Sequence, residues 1–65
     1  MSDVEQAVLS KLKELGGESS SFLITNAEGP WGDIGDPDAR MAAIKSLDAQ
    51  GAVKFDAGNE VVTAT

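Results

Sequence analysis

The chain has no cysteine, and at 65 residues that absence narrows the folds open to it more than any residue it contains. A domain this short buries only about 60% of the surface its unfolded chain exposes, so its core alone supplies a small stability. Without thiols, neither disulfides nor thiolate metal sites can add to it. Ordinary packing has to carry the fold, and the length allows one core, hence a single domain over residues 1–65.

The same absence argues against a small secreted scaffold, because secreted domains of this size are usually bridged. Met1, Ser2, Asp3, Val4 and Glu5 make an acidic start that turns amphipathic, whereas a signal peptide begins basic and continues apolar. No stretch approaches the roughly 18 apolar residues of a membrane span. The expectation is a cytoplasmic protein that makes no use of a membrane.

Three segments carry readable structure. Ser2 and Glu5 have capping-box spacing, and Val4, Val8, Leu12 and Leu15, widened by Leu9, recur on one face at helical period. Gly16 and Gly17 then end the helix, which is expected over residues 3–15. A second helix opens with Asp36 as N-cap, Pro37 at its first position and Asp38 facing the helix dipole. Met41, Ile44 and Leu47 are its expected buried stripe, and Gly51 its exit. In the tail, Val53 and Phe55 alternate with Lys54, a turn follows at Ala57, Gly58 and Asn59, and residues 60–65 return as a strand.

Residues 18–36 read less regularly. Glu18, Ser19, Ser20 and Ser21 suit a loop or a helix cap, and Phe22, Leu23, Ile24 and Thr25 are too short a run to divide strand from stunted helix. Asn26, Ala27, Glu28 and Gly29 would terminate that helix. Three glycines and a proline among residues 29–36 predict an ordered loop in which Trp31 and Ile34 fold back over the core. The fold class is α+β: helix, short element, helix, C-terminal β-hairpin.

That order resembles the winged helix-turn-helix class. Leu47, then Asp48, Ala49 and Gln50, then Gly51, then Ala52 and Val53 are similar to the end of the family's third helix running into its first wing strand. Val8, Leu9, Leu12 and Leu15 resemble its first helix. The resemblance covers about two thirds of the chain and departs where the family has a compact second helix and a tight turn. It implies binding to DNA, RNA or another protein, and the surface has to decide among them.

Eleven acidic residues oppose five basic ones, a formal net charge of −6. Duplex DNA and anionic membranes repel such a surface unless its cations gather on one face. With Met41, Ile44 and Leu47 inside, the outward side of the second firm helix is Ala39, Ala42, Ser46 and Ala49, with no long side chain to read bases. Small residues there serve either as solvent-exposed helix formers or as a close-approach face for a protein partner or a second copy of the chain. Trp31, with Ile34 beside it, is either a cap on the core or an interface anchor.

The reading that follows is a small acidic interaction module that binds a protein partner, in a setting of transcription or nucleic-acid handling. Trp31, Ile34, Ala39, Ala42, Ser46 and Ala49 are its candidate interface. The alternatives are a DNA- or RNA-binding regulator, dimeric, using Arg40, Lys45 and Lys54, and an acidic inhibitor that competes for a basic nucleic-acid groove.

No catalysis is expected. Histidine, cysteine and tyrosine are all missing, so the usual proton shuttle and strong nucleophiles are not available. Serines 19–21 suit a cap. Asp33, Asp36 and Asp38 do not reproduce calcium-loop spacing, and Gly29, Gly32 and Gly35 do not make a phosphate loop. Neither cofactor nor metal is expected.

Overall fold

The computed structural model describes residues 2–26 and 30–65. In chain order the elements are helix α1 (Asp3–Glu14), strand β1 (Glu18–Ser20), helix α2 (Ser21–Ile24), helix α3 (Pro37–Ala49), and strands β2 (Val53–Asp56) and β3 (Val61–Ala64). The strands form one antiparallel sheet in the order β1-β3-β2, with β2 and β3 as the C-terminal hairpin. This is the expected α+β class, in a layout compatible with a winged-helix-like domain. A radius of gyration of 10.1 Å is close to the roughly 11 Å of a well-packed chain this long.

The two long helices begin and end as their sequences dictate. Ser2 Oγ accepts from the Glu5 N–H at 3.2 Å, and the Glu5 carboxylate accepts from the Ser2 N–H in return. At the other end, Gly17 N–H donates to the Leu12 carbonyl, and in α3 Ala52 N–H donates to the Leu47 carbonyl. Both bonds reach back five residues and satisfy otherwise unpartnered helix carbonyls. They require a left-handed residue in the exit, supplied by Gly16 and Gly17 at φ 102° and 86° and by Gly51 at 79°. The Gly17 carbonyl then accepts from Ala64 N–H. One glycine thus ends α1 and starts the sheet.

Strand β1 was not among the expected elements. Glu18, Ser19 and Ser20 lack any apolar alternation, and they become a strand because β3 offers a row of backbone groups that β2 does not use. Ser19 lies opposite Val62, and Ser21 N–H donates to the Glu60 carbonyl just past the paired residues. The residues that follow are the short helix, and Ser20 caps it by accepting from Phe22 N–H at 3.2 Å. The expected termination at Asn26, Ala27, Glu28 and Gly29 involves residues 27–29, which lie outside the described residues, as does Met1 of the N-terminal reading.

The core draws on every layer: Val8 and Leu12 from α1, Ile24 from α2, Ala43, Ile44 and Leu47 from α3, Val53 and Val62 from the hairpin, and Trp31 from the loop. Two expectations about that core need correction. Leu15 is 44% exposed, because it caps α1 where the chain already turns toward β1. Met41 is only partly buried, and its place in the stripe is taken by Arg40, 1% exposed. The inward row of α3 is Arg40, Ala43, Ile44 and Leu47, a tighter helical repeat than the one that includes Met41.

Candidate interaction surface

Helix α3 positions most of the residues singled out above. Asp36 Oδ1 accepts from Ala39 N–H at 2.7 Å, and Pro37 sits in the first turn where its lost donor costs nothing. This start sets the rotation of the helix and sends Arg40 into the interior. There its guanidinium donates from Nε to the Ile24 carbonyl at 2.6 Å, and from Nη1 to the carbonyls of Ile34 and Gly35 at 2.9 and 2.8 Å. The end of α2 and the loop before α3 are thereby held by one planar fork. Nη2 and the Trp31 Nε1 are buried without a hydrogen-bond partner among the described residues.

Arg40 is therefore not a surface cation, which corrects its place among nucleic-acid contacts. Lys45 and Lys54 are exposed, on α3 and β2. Lys45 faces outward, with Asp48 three residues on and on the same side of the helix. The Asp48 carboxylate accepts from Phe55 N–H at 3.3 Å, fastening α3 to β2.

The expected protein interface divides. Ala42 and Ala49 are exposed, as is Asp38. Ala39 is half-buried, and its Cβ lies 3.4 Å from where a side chain on Gly35 would begin. Ser46 is half-buried and donates to Glu5 Oε2 at 3.1 Å, while Gln50 Nε2 donates to the same oxygen at 2.7 Å. That flank of α3 is already occupied by α1. Hydrogen bonds, foremost from Gln50, lower the pKa of Glu5. Those from Asn59 do the same for Asp56 in the hairpin turn.

Trp31 is fully buried, in one cluster with Leu12 and Leu47. It caps the core and takes no part in an exposed surface. Ile34 is half-buried beside that cluster. The aromatic side chain that does face outward is Phe22, 66% exposed, and its neighbour Leu23 is 47% exposed. Ser21 and Ile24 face inward from the same turn, so the helical repeat places Phe22 and Leu23 together on the outer side of α2. Nothing in the sequence marked them, because a four-residue apolar run has no resolvable period.

Charge distribution adds to this picture. Between residues 14 and 44 the sequence has six carboxylates, Glu14, Glu18, Glu28, Asp33, Asp36 and Asp38, and one cation, Arg40. With Arg40 buried, no cation from that segment reaches the surface, whereas the rest of the chain is close to balanced. Among the described residues the exposed large hydrophobic side chains are Leu15, Phe22 and Leu23, and all belong to the same acidic segment.

Among the described residues no pocket opens, no three carboxylates are gathered as for a metal ion, and no helix is long and apolar enough to cross a membrane. No family model matches the chain, and neither a curated protein nor a solved structure matches it.

Proposed function

We propose that the chain is an acidic, winged-helix-like interaction module that works by binding a protein partner, without catalytic turnover. The observation that carries this reading is the burial of Arg40. It removes the only arginine from a surface that already has more than twice as many carboxylates as cations. What remains on the outward side of α3 is Asp38, Ala42, Lys45, Asp48 and Ala49, which offers a single flexible cation and no bidentate fork for a base edge. The element order, with β1 beside the C-terminal hairpin, supports the winged-helix part of the reading. Proteins that handle nucleic acids carry the cation-rich surfaces an acidic module complements, which makes them the favoured setting.

The test is fluorescence anisotropy of labelled duplex DNA and of labelled RNA, titrated with the chain at low and at moderate salt. Binding of neither probe at micromolar protein is the expected result. Salt-sensitive binding of either would overturn the reading, because phosphate contacts reveal themselves through their dependence on ionic strength.

A further inference from the structure

We propose that the outer side of α2 is a docking site for a cationic amphipathic helix of a partner protein, with Phe22 and Leu23 as its apolar anchors. The inference rests on the interaction-module reading and names the partner's chemistry. Two adjacent large side chains at 66% and 47% exposure are an unusual expenditure for so small a domain, in which every apolar group is needed inside. The inward half of α2 already does the structural work: Ile24 is in the core, Ser21 is buried, and the Ile24 carbonyl is held by Arg40. Phe22 and Leu23 are left to meet something else.

Charge complementarity selects the occupant. Among the described residues of the segment in which they stand are five exposed carboxylates, Glu14, Glu18, Asp33, Asp36 and Asp38, and a single cation, Arg40, which is turned inward. Glu18 and Ser19 precede α2 in β1, and the Arg40 fork draws the start of α3, with exposed Asp36 and Asp38, against its other end. A second copy of the chain would bring the same negative surface against its own. Nucleic acid and an anionic bilayer are repelled in the same way. A helix with an apolar stripe flanked by lysine or arginine satisfies both features: its stripe covers the two anchors, and its cations meet the exposed carboxylates of Glu18 before α2 and of Asp36 and Asp38 at the start of α3.

The experiment is a backbone amide NMR titration of the full chain with a synthetic amphipathic helix of leucine and lysine, and with its counterpart carrying glutamate for lysine. The lysine peptide is expected to bind, to shift Phe22, Leu23 and their neighbours in β1, and to weaken as salt is raised. The Phe22→Ser, Leu23→Ser double variant, whose changes lie at the surface, should keep its circular dichroism and lose roughly tenfold or more in affinity. Equal binding of the glutamate peptide, undiminished binding by the double variant, or shifts confined to the Lys45 side of α3 would overturn the site. So would a wild-type dimer that the double variant dissolves, since the occupant would then be a second copy. Failure of the lysine peptide while DNA and RNA also fail to bind sinks this site alone; nucleic-acid binding in the anisotropy test sinks the module reading beneath it.

Discussion

Arg40 and Phe22 have exchanged the places that hydropathy would give them. The arginine is 1% exposed and the phenylalanine 66% exposed, although α2 and α3 are linked by the arginine's own hydrogen bond. The difference shows that backbone satisfaction, more than side-chain hydropathy, decides this corner of the fold. A four-residue helix and the glycine-containing loop after it leave carbonyls at Ile24, Ile34 and Gly35 turned inward. The Ile24 carbonyl is buried and those of Ile34 and Gly35 partly so, and acceptors withdrawn from water need donors. Arg40 supplies them from one side chain, whereas Phe22 lies on the outer side of a turn whose inward positions are taken by Ser21 and Ile24.

The largest effect should come from breaking the buried half of this pair. Arg40→Ala leaves the buried Ile24 carbonyl without its donor, at about 1–3 kcal/mol, removes the bonds to the partly buried Ile34 and Gly35 carbonyls and empties the space of a fully buried side chain, a combined loss comparable to the whole stability of so small a domain. The expected outcome is a chain without a cooperative urea transition. Arg40→Lys keeps the charge but loses the fork that spans separate acceptors, so it should recover little. A wild-type transition in Arg40→Lys would show that charge alone matters there. Trp31→Phe is the next largest: it shrinks a fully buried side chain, and a loss on the order of 1–2 kcal/mol is expected in the same denaturation.

Smaller still is the pH effect. Hydrogen bonds hold the pKa values of Glu5 and Asp56 below their ordinary values. The stability they contribute is therefore fully present above the unfolded-state values and is lost as pH falls through the lowered folded-state ones. Side-chain carboxyl NMR should find each of the two titrating below the ordinary value for its residue type, and Gln50→Ala should raise Glu5 while leaving Asp56 unmoved. The smallest change belongs to the exposed half of the comparison. Phe22→Ser with Leu23→Ser should alter unfolding free energy by no more than about 0.5 kcal/mol, as surface substitutions do. A loss as large as that of Trp31→Phe would mean that these side chains belong to the core.

Most of the fold was legible because its signals are local. The capping box at Ser2 and Glu5, the run Asp36, Pro37 and Asp38, and the glycines at 16, 17 and 51 bound α1 and α3 to within a residue or two. The alternation of Val53, Lys54 and Phe55 gave β2. Strand β1 was not legible, since Glu18, Ser19 and Ser20 pair with residues more than forty positions away, and that partnership leaves no mark on their own sequence. The candidate surface was the least legible part. Arg40 looked like a phosphate contact because cations are usually solvated, yet its spacing of three and four from Ala43 and Ile44 put it on the buried row. Met41, one position round the helix, suits that row by hydropathy but not by spacing. Phe22 and Leu23 gave no cue, as their exposure depends on how α2 is rotated by the Arg40 and Ile24 contacts.

Arg40 is the only arginine, so its Nε–H proton gives a single, unambiguous side-chain NMR signal in the intact protein. That signal is the most direct probe of whether the acidic segment has truly lost its cation to the interior. The Nε–H, bonded to the Ile24 carbonyl, should exchange slowly with water and stay unshifted when duplex DNA is added at low salt. A rapidly exchanging Nε–H that moves with added DNA would place the guanidinium at the surface and contradict the account.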